Sequence, residues 1–146
     1  MKIPKFEAQT EWVKPSEFPD LRHVDEIAID LETKDPDLLK KGSGSVIKNG
    51  EVIGIAVATK HFKGYFPIAH EGGGNMDRSR VMSWLKDILE SPCTKVFHNA
   101  MYDVCWLRAM GFKINGDIAC TMIAAALTDE NRFCLLYTSP SPRDSC

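Results

Sequence analysis

The chain has 146 residues, 44% hydrophobic and 26% charged, with a formal net charge of −2. This length and composition suit one folded domain with a core, not a disordered chain. The near-neutral charge excludes a broad basic field, so nucleic-acid contact would rest on local groups. No apolar run approaches the roughly 20 residues of a membrane span.

Met1-Lys2-Ile3-Pro4 leads into no signal-like apolar core, and the expected location is the cytoplasm. Residues 1–23, with Pro4, Pro15 and Pro19 among charges, read as an N-terminal arm or linker with Trp12 and Phe18 available to pack down. Ile-rich residues 26–31 read as a strand, and Lys34 to Gly50 as a polar connection ending in an Asn49-Gly50 turn. Glu51 to Thr59 reads as a second strand. Gly64 to Ala69 reads as its antiparallel neighbour, with Pro67 marking an edge or a bulge. His70 to Asp77, "HEGGGNMD", lacks the lysine and hydroxyl of a phosphate-binding loop and reads as a flexible loop.

Asp77 or Ser79 can cap a helix whose residues Val81, Met82, Trp84, Leu85, Ile88 and Leu89 follow a 3.6 period, with Pro92 ending it. Thr94 to Asn99 reads as a short strand. The helix after it carries Tyr102, Val104, Cys105, Leu107 and Met110 and stops at Gly111. A return near Ile114 and Ile118 and the helix-forming "ACTMIAAAL" follow. This order describes an α/β fold, a mixed sheet with helices on its faces. The five cysteines contain no C-x2-C pair, and His61, His70 and His98 are dispersed, so neither a disulfide framework nor a zinc site is supported.

Chemistry concentrates in two stretches. In "EIAIDLETKDP", Asp30 and Glu32 end the first strand two residues apart and so share one face. Carboxylates that close raise each other's pKa unless a cation joins them, and a hard divalent ion suits oxygen ligands. Alone, the pair also fits a solvated turn. In "KVFHNAMYDVCWL", a strand delivers His98 and Asn99 into a helix, with Asp103 one turn in and on the face of Asn99. Taken alone, these fit an Asn cap and an acid favoured by the helix dipole.

Together the two stretches resemble the 3′-5′ proofreading exonuclease domain of family A DNA polymerases, in the DEDD superfamily, with a phage-like cast. "IDLET" is similar to the first motif of that family and "FHNAMYD" to the second; "GDIACTMIAAAL" is similar to the segment that follows, where Asp117 is a recurrent acid. The resemblance implies a ribonuclease H-like sheet over residues 24–133. It implies Asp30, Glu32 and Asp103 as catalytic metal ligands for Mg2+ or Mn2+, two ions about 4 Å apart in the complete site. Thr33, Asn99 and Tyr102 would contact a single-stranded DNA 3′ end, with Lys34, Lys40 and Lys41 as possible helpers or simply solvated. A polymerase domain would share the full-length chain, in a bacterial or phage-infected cell. The alternatives are a stand-alone or RNA-directed DEDD exonuclease and an inactive nucleic-acid-binding module of the same fold.

The tail departs from the family. "CLLYTSPSPRDSC", Cys134 to Cys146, resembles a translated sequencing-adaptor end, so native sequence is expected to stop near Phe133 and the domain to be incomplete at its C-terminus. The family's third motif pairs a tyrosine with a fourth carboxylate four residues on, but Tyr137 has Ser141 at that offset. Three of four acids are present, so the fragment is expected to be weak or inactive.

Overall fold

The computed structural model describes residues 12–128; the expected tail at 134–146 and residues 1–11 of the arm lie outside the described residues. β1 (Glu26–Lys34) alternates strictly, burying Ile27, Ile29 and Leu31 on one face. β2 (Glu51–Ala58) and β3 (Lys63–Pro67) follow as an antiparallel meander, while β4 (Thr94–Phe97) and β5 (Ile118–Cys120) run parallel to β1. The sheet order is β3-β2-β1-β4-β5. Pro67 ends the edge strand β3, where its missing N–H costs no ladder bond.

The connection between β1 and β2 is more structured than its polar sequence suggests. β1 runs on to Lys34, and two four-residue helices follow, α1 (Leu38–Lys41) and α2 (Gly44–Ile47). A single turn is too short to display a helical period, so its sequence looks like a loop. The glycine-rich stretch before the next helix is also pinned rather than loose. Asn75 Oδ1 accepts the His70 N–H (2.7 Å), and Asn75 Nδ2 donates to the His70 carbonyl (2.8 Å).

α3 (Arg78–Glu90) starts where Asp77 accepts the Arg80 N–H at 2.9 Å. It buries Val81, Leu85, Ile88 and Leu89, and Pro92 lies just past its Ser91 cap. α4 (Ala100–Ala109) buries Val104, Trp106 and Leu107, and Gly111 beyond it takes φ +90°, as its terminating role requires. α5 (Thr121–Thr128) buries nothing, and β5 claims the Ala119 and Cys120 that helix propensity alone would assign to it.

α3, α4 and the Ile27/Ile29/Leu31 face of the sheet close one hydrophobic core. The arm joins it. Leu21 is buried, Phe18 stacks on Phe66 with centroids 5.8 Å apart, and Trp84 Nε1 donates to the Pro19 carbonyl (2.7 Å). The opposite face, with Ala28, Asp30, Ala56, Ala58 and Val96, borders an open cleft of about 790 Å3. One buried residue breaks the apolar rule: Lys95 on β4 is 0% exposed. Its ammonium donates to the carbonyls of Ser91, Cys93 (3.0 Å) and Asn115 (2.8 Å), tying the end of α3 to the loop before β5.

Candidate active site

Asp30 falls between the buried Ile29 and Leu31 and Glu32 follows Leu31, so both alternate away from the buried positions onto the open face of the sheet. Asp103 arrives from the other side. The parallel pairing of β1 with β4 ends at Ala28 and Val96, and β4 itself stops at Phe97. Beyond that point β1 lacks its neighbour, and the first turn of α4 enters the fork. There Asp103, 3% exposed, accepts the Leu31 N–H on Oδ1 at 3.0 Å. A crevice where parallel strands part at their carboxyl ends is a recurrent binding place in α/β sheets. The turn into α4 passes through Asn99 at φ 58° and ψ 56°, a left-handed conformation that Asn tolerates better than most residues.

The electrostatics of Asp103 follow from that placement. Burial pushes its carboxyl up, the Leu31 N–H pulls it back and the charge of Asp30 adds to the rise, leaving it at about 7. Asp30 and Asp103 are thus brought within electrostatic reach, with Glu32 two residues along on the face of Asp30. The three do not close into a tight cage. Among the described residues, no group of three or more His, Cys, Asp or Glu side chains stands ready to hold a metal ion. The donor set still fits a hard cation, because it is all carboxylate oxygen and holds a buried acid against a like charge.

Two of the expected substrate contacts meet each other. Thr33 Oγ1 and the Tyr102 hydroxyl share a hydrogen bond of 2.7 Å, and that hydroxyl also donates to Asp35 Oδ2 at 3.0 Å. Asp35 Oδ2 in turn accepts the Gly44 N–H (2.9 Å), which fixes α2 against α4. Burial pushes the Tyr102 phenol up, so it keeps its proton. Asn99 stands at the N-cap position of α4, exposed and without a side-chain cap bond, which corrects the cap interpretation. Lys34 pairs with Glu71 and Lys41 with Asp37 (3.1 Å), both at the surface. Asp117 precedes β5 level with the amino end of β4, away from the carboxyl ends that carry the acids.

Sequence reasoning missed Asp35 as the anchor of the Tyr102 hydroxyl, although it lies in the quoted "LETKDP". It also missed Tyr65, which only strand register places near the acids, and His70, which hydrogen-bonds the Tyr65 hydroxyl. His98, left unassigned, hydrogen-bonds Thr121 through Nδ1 (2.9 Å) at the cleft edge.

A profile of the 3′-5′ exonuclease family found in A-type DNA polymerases matches residues 16–136. The chain belongs to this 3′-5′ exonuclease family. It is a DEDD-type exonuclease domain related to phage polymerase exonuclease domains and to other DEDD nucleases. It is 41% identical over 81 residues to a DNA-directed DNA polymerase of Pseudomonas phage M6, covering 53% of this chain and 12% of that one. It is 29% identical over 116 residues to the DNA polymerase DpoZ of Salmonella phage PMBT28, covering 78% and 16%. The exonuclease chain thus spans only a small part of those polymerases. Among solved structures, Brucella melitensis NrnC with bound Mg2+ superposes with a TM-score of 0.56 at 21% identity, covering 86% of this chain and 61% of NrnC. The catalytic core of RRP6 from Trypanosoma brucei gives 0.52 at 22%, covering 77% and 27%. These likenesses show the fold, a ribonuclease H-like mixed sheet flanked by helices.

Proposed function

We propose that the chain is the nuclease unit of a metal-dependent exonuclease that removes nucleotides from single-stranded 3′ ends, and that it needs no attached polymerase to do so. The observation that carries the chemistry is Asp103, buried at the strand fork, held on the Leu31 N–H and opposed by Asp30. A divalent cation is the group that makes such a pair favourable. Autonomy is favoured because the matched region makes up 61% of NrnC, a protein solved with Mg2+ and with pGG, against 12% and 16% of the polymerases.

In this proposal Asp30, Glu32 and Asp103 hold Mg2+ or Mn2+, two ions in the complete site. The bound metal supplies charge neutralisation at the phosphodiester and a more acidic attacking water. The chain's own residues do the rest. The Leu31 N–H fixes one Asp103 oxygen, so the carboxylate approaches with a set orientation once its proton is lost. Thr33, Asn99 and Tyr102 line the strand end, and Asp35 holds the Tyr102 hydroxyl so that the ring can stack on a base without ordering cost. Stacking and backbone contact tolerate any sequence, in RNA or DNA.

A second reading, the proofreading part of a DNA polymerase, is favoured by the phage polymerase identities. Single-turnover assays with excess chain, Mn2+ and 5′-labelled DNA or RNA oligonucleotides separate the possibilities. Stepwise 3′ shortening by the chain completed through the family's third motif but carrying no polymerase domain, lost in Asp30→Ala, supports the autonomous exonuclease. Shortening only when a polymerase domain is joined supports proofreading, and metal-independent binding without shortening supports an inactive module.

A further inference from the structure

Tyr65 lies two strands away from the acids, yet register puts it on their face. Asp30 pairs with Ala56, which pairs with Tyr65, and Glu32 pairs with Gly54. The Tyr65 side chain leans diagonally across β2. Its hydroxyl oxygen lies 1.8 Å from where a Cβ on residue 54 would stand, so Gly54 is what leaves room for it. Neighbouring strands stand about 4.8 Å apart. The hydroxyl is therefore one strand spacing from the backbone of Glu32, on the side to which Glu32 projects.

The hydroxyl is also oriented from behind. His70 Nε2 hydrogen-bonds it at 2.5 Å, and His70 is itself clamped at N–H and carbonyl by the Asn75 amide. Met76 N–H to the Pro67 carbonyl (2.7 Å) and the Lys34–Glu71 ion pair fasten the same loop to β3 and β1. A tyrosine phenol keeps its proton at neutral pH, so it stays a donor.

We propose that Tyr65, oriented by His70, is a positioning residue of the carboxylate site, its hydroxyl placed to donate to Glu32 and to hold that side chain toward a bound cation. The inference rests on the assignment of Asp30, Glu32 and Asp103 as cation ligands. A hydrogen bond to a ligating carboxylate is worth about 10-fold or more in metal affinity. Tyr65→Phe removes the donor but keeps the ring that packs edge-on to Trp12 at 6.1 Å. Gly54→Ala displaces the hydroxyl by a different route.

The test is Mn2+ binding to the full chain, read as free Mn2+ by electron paramagnetic resonance, beside thermal unfolding in EDTA. Wild type should bind, Asp30→Ala should not, and Tyr65→Phe should bind about tenfold more weakly while unfolding in EDTA as wild type does. Gly54→Ala should weaken binding in the same direction. If wild type and Asp30→Ala behave as stated but Tyr65→Phe binds with wild-type affinity, the positioning role is overturned and the cation site stands. If wild type binds no Mn2+, both fall.

Discussion

Asp103 combines a buried position with a neighbour of like charge, and this has a measurable consequence for the metal-free protein. Its folded pKa of about 7 stands above the 3.8 of an unperturbed carboxyl, so between those values the folded state holds more protons than the unfolded one. The associated stability is fully present below the lower value and is lost as pH rises through the higher one. Urea unfolding in EDTA should show a loss on the order of 2–4 kcal/mol from pH 4 to pH 8. Asp103→Asn keeps an oxygen for the Leu31 N–H and removes the charge, so it should flatten that dependence while abolishing Mn2+ binding. Lys95 presents the opposite case, a buried charge fully supplied with acceptors. Lys95→Met fits the volume but strands three carbonyls, and should destabilise by roughly 2–4 kcal/mol in the same titration.

Local elements add smaller, separable terms. Asp77→Ala removes the cap of α3 and should cost about 1 kcal/mol, read from a shift in denaturation midpoint without a change in slope. Gly111→Ala forces a side chain into φ +90° and should cost about 1 kcal/mol or more. The capped, amphipathic α3 and the Ile-rich β1 were legible because local signals and tertiary environment agree there. The short α1 and α2 were not, since four residues carry no period, and β5 was hidden inside a helix-forming stretch by its parallel pairing with β4. Lys95 in an apolar strand gave no hint of its burial, because its acceptors lie at the end of α3 and before β5. The acids Asp30, Glu32 and Asp103 were singled out through resemblance, whereas their geometry, with Asp103 on the Leu31 N–H, depends on where β4 stops. Tyr65 could not be found at all before its register with Ala56, and its lean over Gly54, were known.

At the scale of the molecule, the arm and the nuclease fold behave as one body over the described residues. Phe18, Phe66 and Trp84 form a continuous aromatic cluster that joins the arm to β3 and α3. Phe18→Ala should therefore lower global stability by about 2 kcal/mol, with fluorescence and far-UV signals still changing together. The open face behind Asp30 and the strand fork that holds Asp103 are two sides of the same design. One core supports α3 and α4 from one side, holds Asp103 buried at the fork, and leaves Asp30 and Glu32 on the other face. The claim that joins these scales is that the Asp30 and Asp103 pair is a cation site in a 3′-5′ exonuclease fold. The most direct measurement is the carboxyl 13C titration of Asp103 by NMR, without and with Mg2+. A midpoint near 7 in EDTA that falls to the ordinary carboxylate range on adding Mg2+ is the expected result. A midpoint that stays where it is when Mg2+ is added would contradict it.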